Sequence, residues 1–264
     1  MLELIQITND PVFARRCDAL PGMRLFVDLE RLGKAQRQAG RNTFISEHTI
    51  EDVGTVRKAV RQSPLMVRVN PLNASSKPEV DAVLAQGADR LMLPMFTRAA
   101  EVREFSDIVA GRVPIVLLLE TEVALSCMDD WIGIRGLAEV YLGLNDLHIA
   151  MGLRFMFEPL AAGVVDRVAS AARSHGLRFG FGGIARLEEG MLPGRAVLAE
   201  HQRVGSGAVI LSRTFHRVGG QASFEEEVAA LRLSEAELAA RSPEEVESDR
   251  VRIAESIRFI AAKA

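Results

Sequence analysis

The chain has 264 residues, 48% hydrophobic and 25% charged, with a formal net charge of −3 at pH 7; this length suits two ordinary domains or one α/β barrel, which takes ~250 residues. The near-neutral balance, with no basic run, leaves no electrostatic footprint for nucleic acid, and no apolar run approaches the ~18 residues of a membrane span. Cys17 and Cys127 alone make neither a disulfide framework nor a cysteine-rich zinc site, and Met1-Leu2-Glu3 lacks the basic and apolar opening of a secretory signal, so a cytoplasmic protein is expected.

In chain order, strands are expected at Leu2–Thr8, Met23–Glu30, Leu65–Pro71, Arg90–Met95, Pro114–Glu120, Glu139–Asp146, Arg178–Ile184 and Ala208–Phe215. Helical patterns lie between them, near 11–20, 48–62, 77–87, 97–109, 121–131, 158–174 and 194–204. Several of the strand runs are almost continuously apolar, as parallel strands buried on both faces must be. Eight such strands alternating with helices imply an α/β fold, a (β/α)8 TIM barrel over residues 1–221, with a doubly wound open sheet as the competing arrangement. Residues 222–264 leave that rhythm. Ser223, Ser234 and Ser242 each precede a glutamate by three residues, a helix-start signature, and Pro243 suits a first helical position. A C-terminal helical extension is therefore expected, with Val246, Val251, Ile253, Ile257 and Ile260 as apolar residues needing cover.

Polar residues gather at the ends of these runs: Thr8-Asn9-Asp10, Asp28 and Glu30, Arg68 and Asn70, Met95, Glu120, Asn145-Asp146, Gly182-Gly183 and Ser212-Arg213. In a barrel those ends converge on one face, where active sites sit. Glu120 and Asp146 close consecutive strands, so their carboxylates can approach each other. Two hard oxygen ligands with open positions suit Mg²⁺ or Mn²⁺ better than zinc. Of 32 basic side chains only Lys34, Lys58, Lys77 and Lys263 are lysines, none within an expected strand, which argues against a Schiff-base mechanism. Gly180-Phe181-Gly182-Gly183 lacks the setting of a dinucleotide fingerprint. These glycines either allow close backbone approach or face a phosphate.

Five blocks carry a family resemblance: Phe26-Val27-Asp28-Leu29-Glu30, Val67-Arg68-Val69-Asn70-Pro71, Gly87-Ala88-Asp89-Arg90-Leu91-Met92-Leu93-Pro94-Met95, Leu119-Glu120-Thr121, and Gly143-Leu144-Asn145-Asp146-Leu147 with Met151-Gly152. In this order and spacing, from about residue 23 to 215, the chain resembles the HpcH/HpaI aldolase and citrate lyase β-subunit family of the phosphoenolpyruvate/pyruvate barrels. The resemblance implies that Glu120 and Asp146 bind the metal and that Arg68 contacts the bound oxo acid and its enolate. It further implies that backbone amides around Gly143, Leu144 and Asn145 hold the substrate carboxylate, with Asp28 and Glu30 as further site candidates. The segment His48 to Val56 is similar to the one that follows the catalytic histidine of pyruvate aldolases. In those enzymes the histidine follows the acidic strand end almost directly, whereas Arg31 to Glu47 intervene here. His48 is thus read as acid/base or as a helix-start residue, with His148 as the alternative; His175, His201 and His216 are read as surface or structural. Leu118 stands where the aldolases often carry a polar residue.

The function expected is that of a divalent-metal-dependent carbon–carbon lyase, a class II aldolase working on a 2-oxo acid and an aldehyde through a pyruvate-type enolate. A citrate lyase-like acyl-CoA lyase and a non-catalytic metal- or oxo-acid-binding barrel are the alternatives. No nucleic-acid or membrane partner is expected. The resemblance also implies a homo-oligomer, a trimer or hexamer assembled through the C-terminal helices.

Overall fold

The computed structural model describes residues 1–34, 46–216 and 222–264. Most of the expected segment between Arg31 and Glu47, the 221/222 boundary and the His216 side chain lie outside the description. Strands β1 (Glu3–Ile7), β2 (Met23–Asp28), β3 (Leu65–Arg68), β4 (Arg90–Leu93), β5 (Ile115–Leu119), β6 (Leu137–Leu142), β7 (Arg178–Ile184) and β8 (Ala208–Leu211) follow one another around a closed barrel. This is the (β/α)8 architecture, with C-terminal helices added; the open sheet is excluded. By compactness the chain divides into Ile5–Tyr141 and a second unit of Met1–Leu4 with Leu142–Ala264.

Within Ile5–Tyr141 the ladder is parallel and regular. Phe26 pairs with Met66, Asp28 with Arg68, and Arg68 with Met92. Every residue of β2 and of β5 is buried, as the apolar runs required. One face of β2 carries Arg24, Phe26 and Asp28 in succession. Arg24 forks onto Glu139 of β6 at 3.1 and 2.7 Å, both side chains fully buried. Because β2 and β6 are not neighbours in the strand order, this pair crosses the barrel interior. Phe26 and Met66, both buried, separate it from Asp28 and Arg68 at the other end of the strands.

Helix α1 (Pro11–Asp18) starts at Asp10, whose side chain accepts the Val12 amide, with Pro11 in the first turn. At its other end the Asp18 carboxylate accepts three backbone amides, from Arg61, Gln62 and Ser63, at 2.6–2.9 Å. Burial opposes the charge of Asp18, but these three bonds more than offset it and lower its pKa. The turn entering β3 is thereby fixed.

In the second unit, helices Phe224–Ala239 and Pro243–Lys263 open with full capping boxes, Ser223 with Glu226 and Ser242 with Glu245. Ser234 starts no helix. It lies inside Phe224–Ala239, buried, and accepts a hydrogen bond from Arg195 at 2.8 Å, while Leu231 and Leu238 keep the helix buried across it. Ile253 and Ile257 are buried because the last helix packs on Glu158–Ala161 and Gly194–Val204 of its own chain. Val251 and Phe259 remain exposed.

Candidate active site

The end of β2 and the end of β3 build a cluster of four charges, three of them buried and Arg68 half-buried. Their register places Asp28 directly beside Arg68. Arg68 Nε donates to Asp28 Oδ1 at 2.8 Å and Nη2 to Oδ2 at 2.7 Å, the two-pronged geometry a planar guanidinium favours. Arg68 Nη1 lies 3.2 Å from Glu30, and Lys34 Nζ lies 3.1 Å from Asp28 and 3.4 Å from Glu30. Burial alone would raise the Asp28 carboxyl, but Arg68 first and then Lys34 reverse this and hold it well below the usual carboxylate range. Burial likewise works against the Arg68 charge, yet Asp28, Glu30 and Glu120 together push its pKa above the ordinary value. A guanidinium has five N–H donors, and three of those on Arg68 face Asp28 and Glu30.

Lys34, which the sequence puts outside every strand but close to the end of the second, follows β2 by six positions, just after the turn at Leu32–Gly33. A lysine is therefore present beside the cluster, its nitrogen held between the carboxylates of Asp28 and Glu30. The loop that carries Lys34 is held by Asn70, whose Oδ1 accepts the amides of Arg31 and Leu32 and whose Nδ2 donates to Glu79.

His48 stands immediately before Thr49, the N-cap of helix α2 (Ile50–Ala59), which closes a capping box with Asp52. The helix-start reading and the site reading therefore meet in one residue. The His48 ring reaches the cluster, and its Nδ1 accepts the backbone N–H of Asp28 at 3.1 Å. Arg31 donates to the carbonyls of Glu47 and His48, fixing the approach of this segment. Burial lowers the pKa of the ring, Asp28 and Asp52 oppose that, and Lys34 and Arg31 add to it.

Glu120 follows β5, is 3% exposed, and accepts the Met95 amide at 3.1 Å on Oε1. Met95 takes φ 56°, a left-handed backbone uncommon outside glycine. Thr121 Oγ donates to the Phe96 carbonyl at 2.8 Å, so two bonds clip the loop after β4 to the Glu120–Thr121 step. Such strained residues cluster where a functional group has to be aimed.

The remaining candidates lie in the other unit. Strand β6 ends at Leu142, earlier than expected, and Gly143 caps helix α3 (Leu144–Ala150). Asn145 and Asp146 therefore occupy the first turn of a helix instead of a strand end, and the amides of Leu144 to Asp146 are its N-terminal ones. His148 Nδ1 meets the Leu144 carbonyl of its own helix at 3.1 Å. In β7, Gly182 has φ 53°, and a Cβ there would lie 3.0 Å from Leu144 Cδ1; close backbone approach accounts for this glycine.

A family model for HpcH/HpaI aldolase/citrate lyase matches residues 25–181. The chain belongs to this family. It has the fold of the HpcH/HpaI aldolase from Desulfitobacterium hafniense DCB-2, with TM-score 0.61 and 17% identity, covering 92% of this chain and 95% of that one. An HpcH/HpaI aldolase/citrate lyase family protein from Burkholderia cenocepacia J2315 gives TM-score 0.63 and 14% identity, over 91% and 95%. The citrate lyase β subunit from M. tuberculosis, itself complexed with oxaloacetate and magnesium, gives TM-score 0.58 and 16% identity, over 89% and 96%. A search of curated protein sequences found no match. The HpcH/HpaI blocks read in the sequence, from Phe26 to Met151, fall inside the matched range.

Glu120 and Asp146 each offer the hard carboxylate oxygens that a divalent cation such as Mg²⁺ takes. Among the described residues, no group of three or more His, Cys, Asp and Glu side chains gathers as a closed zinc site would require. No helix among them is long and apolar enough to cross a membrane.

Proposed function

We propose that the protein is a divalent-metal-dependent carbon–carbon lyase that cleaves or forms a 2-oxo-acid aldol through a pyruvate-type enolate. The observation that carries this reading is Arg68. It is half-buried, oriented by Asp28 and Glu30, within the electrostatic reach of Glu120, and has two N–H donors beyond those engaged among the described residues. Preorganised donors of this kind stabilise oxyanions most when they need not reorganise during the reaction. Developing enolate charge would fall to Arg68, and the substrate carboxylate to the amides around Gly143, Leu144 and Asn145.

Glu120 and Asp146 would hold Mg²⁺ or Mn²⁺, a reading supported by the family and by the hard carboxylate oxygens both residues offer. The ion supplies Lewis-acid polarisation of the oxo acid. Met95, through its amide, keeps one oxygen of Glu120 oriented. The test is exchange of the pyruvate methyl protons in D₂O with Mn²⁺, followed by aldol assays with varied aldehydes. Glu120→Gln and Asp146→Asn should abolish exchange and weaken Mn²⁺ binding while leaving the circular dichroism unchanged. Full Mn²⁺ affinity in either variant would refute the assignment.

A citrate lyase-like thioester lyase is the second reading. It is supported by the family and by the M. tuberculosis neighbour with its bound oxaloacetate. Acyl-CoA cleavage without pyruvate exchange would select it. Pyruvate binding with neither activity would leave a non-catalytic oxo-acid-binding barrel.

A further inference from the structure

The orientation of His48 is informative about what its ring can do. A backbone amide only donates, so a ring nitrogen that receives one must present its lone pair. His48 Nδ1 receives the Asp28 amide at 3.1 Å. The proton of the neutral ring therefore sits on Nε2. A base acting through Nε2 needs the other tautomer, with the proton on Nδ1. That proton would point at the Asp28 N–H, and the bond between them would be lost.

Resting on the aldolase reading above, we propose that His48 serves as a neutral hydrogen-bond donor, through Nε2–H, to an oxygen of the bound oxo acid or its aldol partner, and that the reaction's base is another group. Three features converge on this role. The Asp28 amide that fixes Nδ1 belongs to the strand end carrying the Arg68 fork, so ring and guanidinium are placed by one residue. The segment is braced on both sides, by Arg31 on the His48 carbonyl and by Ser46 Oγ on the His48 amide at 3.2 Å. Nε2 meets no hydrogen-bonding group among the described residues, and burial with the nearby cations Lys34 and Arg31 disfavours a charged ring. A neutral imidazole donor keeps its proton through the reaction and needs no reprotonation between turnovers. It strengthens its bond as negative charge grows on the substrate oxygen.

The experiment has a ligand-free arm and a catalytic arm. Full-length protein labelled with ¹⁵N-histidine, with His48→Gln identifying the resonance, reports the tautomer directly by long-range ¹H–¹⁵N correlation. The expected pattern is Nε2–H with Nδ1 unprotonated at neutral pH. An Nδ1–H tautomer or an imidazolium there overturns the proposal. In the catalytic arm, with Mn²⁺ and pyruvate in D₂O, His48→Gln keeps an N–H donor and retains exchange within about tenfold of the wild type, whereas His48→Ala falls about 10²-fold, the usual cost of one oxyanion donor. Equal losses in both variants with unchanged circular dichroism overturn the donor role. Absence of exchange in the wild type refutes the aldolase reading, and with it the substrate-donor role, while the tautomer result stands separately.

Discussion

His201 is fully buried on the helix Gly194–Val204, stacked on Phe181 with ring centroids 3.8 Å apart and planes 8° from parallel, and neither ring nitrogen has a hydrogen-bond partner among the described residues. Burial pushes its pKa down to about 3, against ~6.5 in an unfolded chain. Between those values the unfolded state holds one more proton than the native state, so stability falls as pH falls through this window. From pH 7.5 to pH 5.0 the loss assigned to this one ring is about 2 kcal/mol. His201→Phe keeps a flat ring against Phe181 and removes the titration. Overpacking by the larger ring costs ~1–3 kcal/mol and release of two unpaired nitrogens returns a similar amount, so the variant's stability at a single pH is not diagnostic. The diagnostic quantity is the double difference: urea unfolding of wild type and variant at pH 7.5 and 5.0, in which every other titrating group cancels. His201→Leu provides the same comparison if phenylalanine does not fit. Equal pH sensitivity in wild type and variants would refute the reasoning and show that the ring finds a proton acceptor or water in solution.

Arg68→Lys keeps the charge but loses the two-pronged seat on Asp28, and kcat for pyruvate exchange should fall on the order of 10²-fold; an unchanged kcat would make Arg68 a structural ion pair. At Met95, whose φ is 56°, valine should lower stability relative to glycine by ~1–2 kcal/mol in thermal unfolding, and equal melting temperatures would show that the left-handed backbone is not retained. Truncation after Ala240 removes the cover of the helices Glu158–Ala161 and Gly194–Val204. The shortened chain should melt several degrees lower, and light scattering on both forms tests whether the exposed Val251 and Phe259 also bring copies together.

The barrel was legible because parallel strands covered on both faces leave long apolar runs, and the ends of β2, β3 and β5 were legible because a buried strand tolerates charge chiefly where it terminates. That rule also explains the gaps. Arg24 and Glu139 sit within strands and were passed over, since nothing in their local sequence distinguishes a charge crossing the barrel interior from one at a strand boundary. The sequence puts Lys34 only close to the end of β2; that its side chain turns back onto Asp28 and Glu30 depends on the tertiary fold. The placement of His48 beside Asp28 depends on the path between Arg31 and Glu47, which periodicity does not describe. The end of β6 was read several residues late, because Leu144 and Leu147 continue an apolar run that the backbone converts into a helix at Gly143. Ser234 resembles a cap by spacing alone; the hydroxyl of a mid-helix serine served a neighbouring arginine instead.

The apolar layer of Phe26 and Met66 has a practical consequence for protein engineering. It stands between the Arg24–Glu139 pair and the Asp28–Arg68 fork, touching both, since Met66 Sδ accepts from Arg24 and Arg68 lies over the Phe26 ring. Substituting Glu139 removes the two-pronged partner of a buried Arg24 and should cost ~3–5 kcal/mol, whereas Glu139 without Arg24 still faces Arg90 at 3.7 Å. Replacing both together with apolar residues of matched volume removes the burden of dehydrating two ions and is commonly neutral or stabilising, by ~1–4 kcal/mol. With Arg90 replaced as well, because it too faces Glu139, such a change offers a route to a heat-tolerant scaffold that keeps the Asp28–Arg68 fork at the other end of the strands. Substitutions around the fork that are destabilising on their own would be better tolerated in that hardened chain.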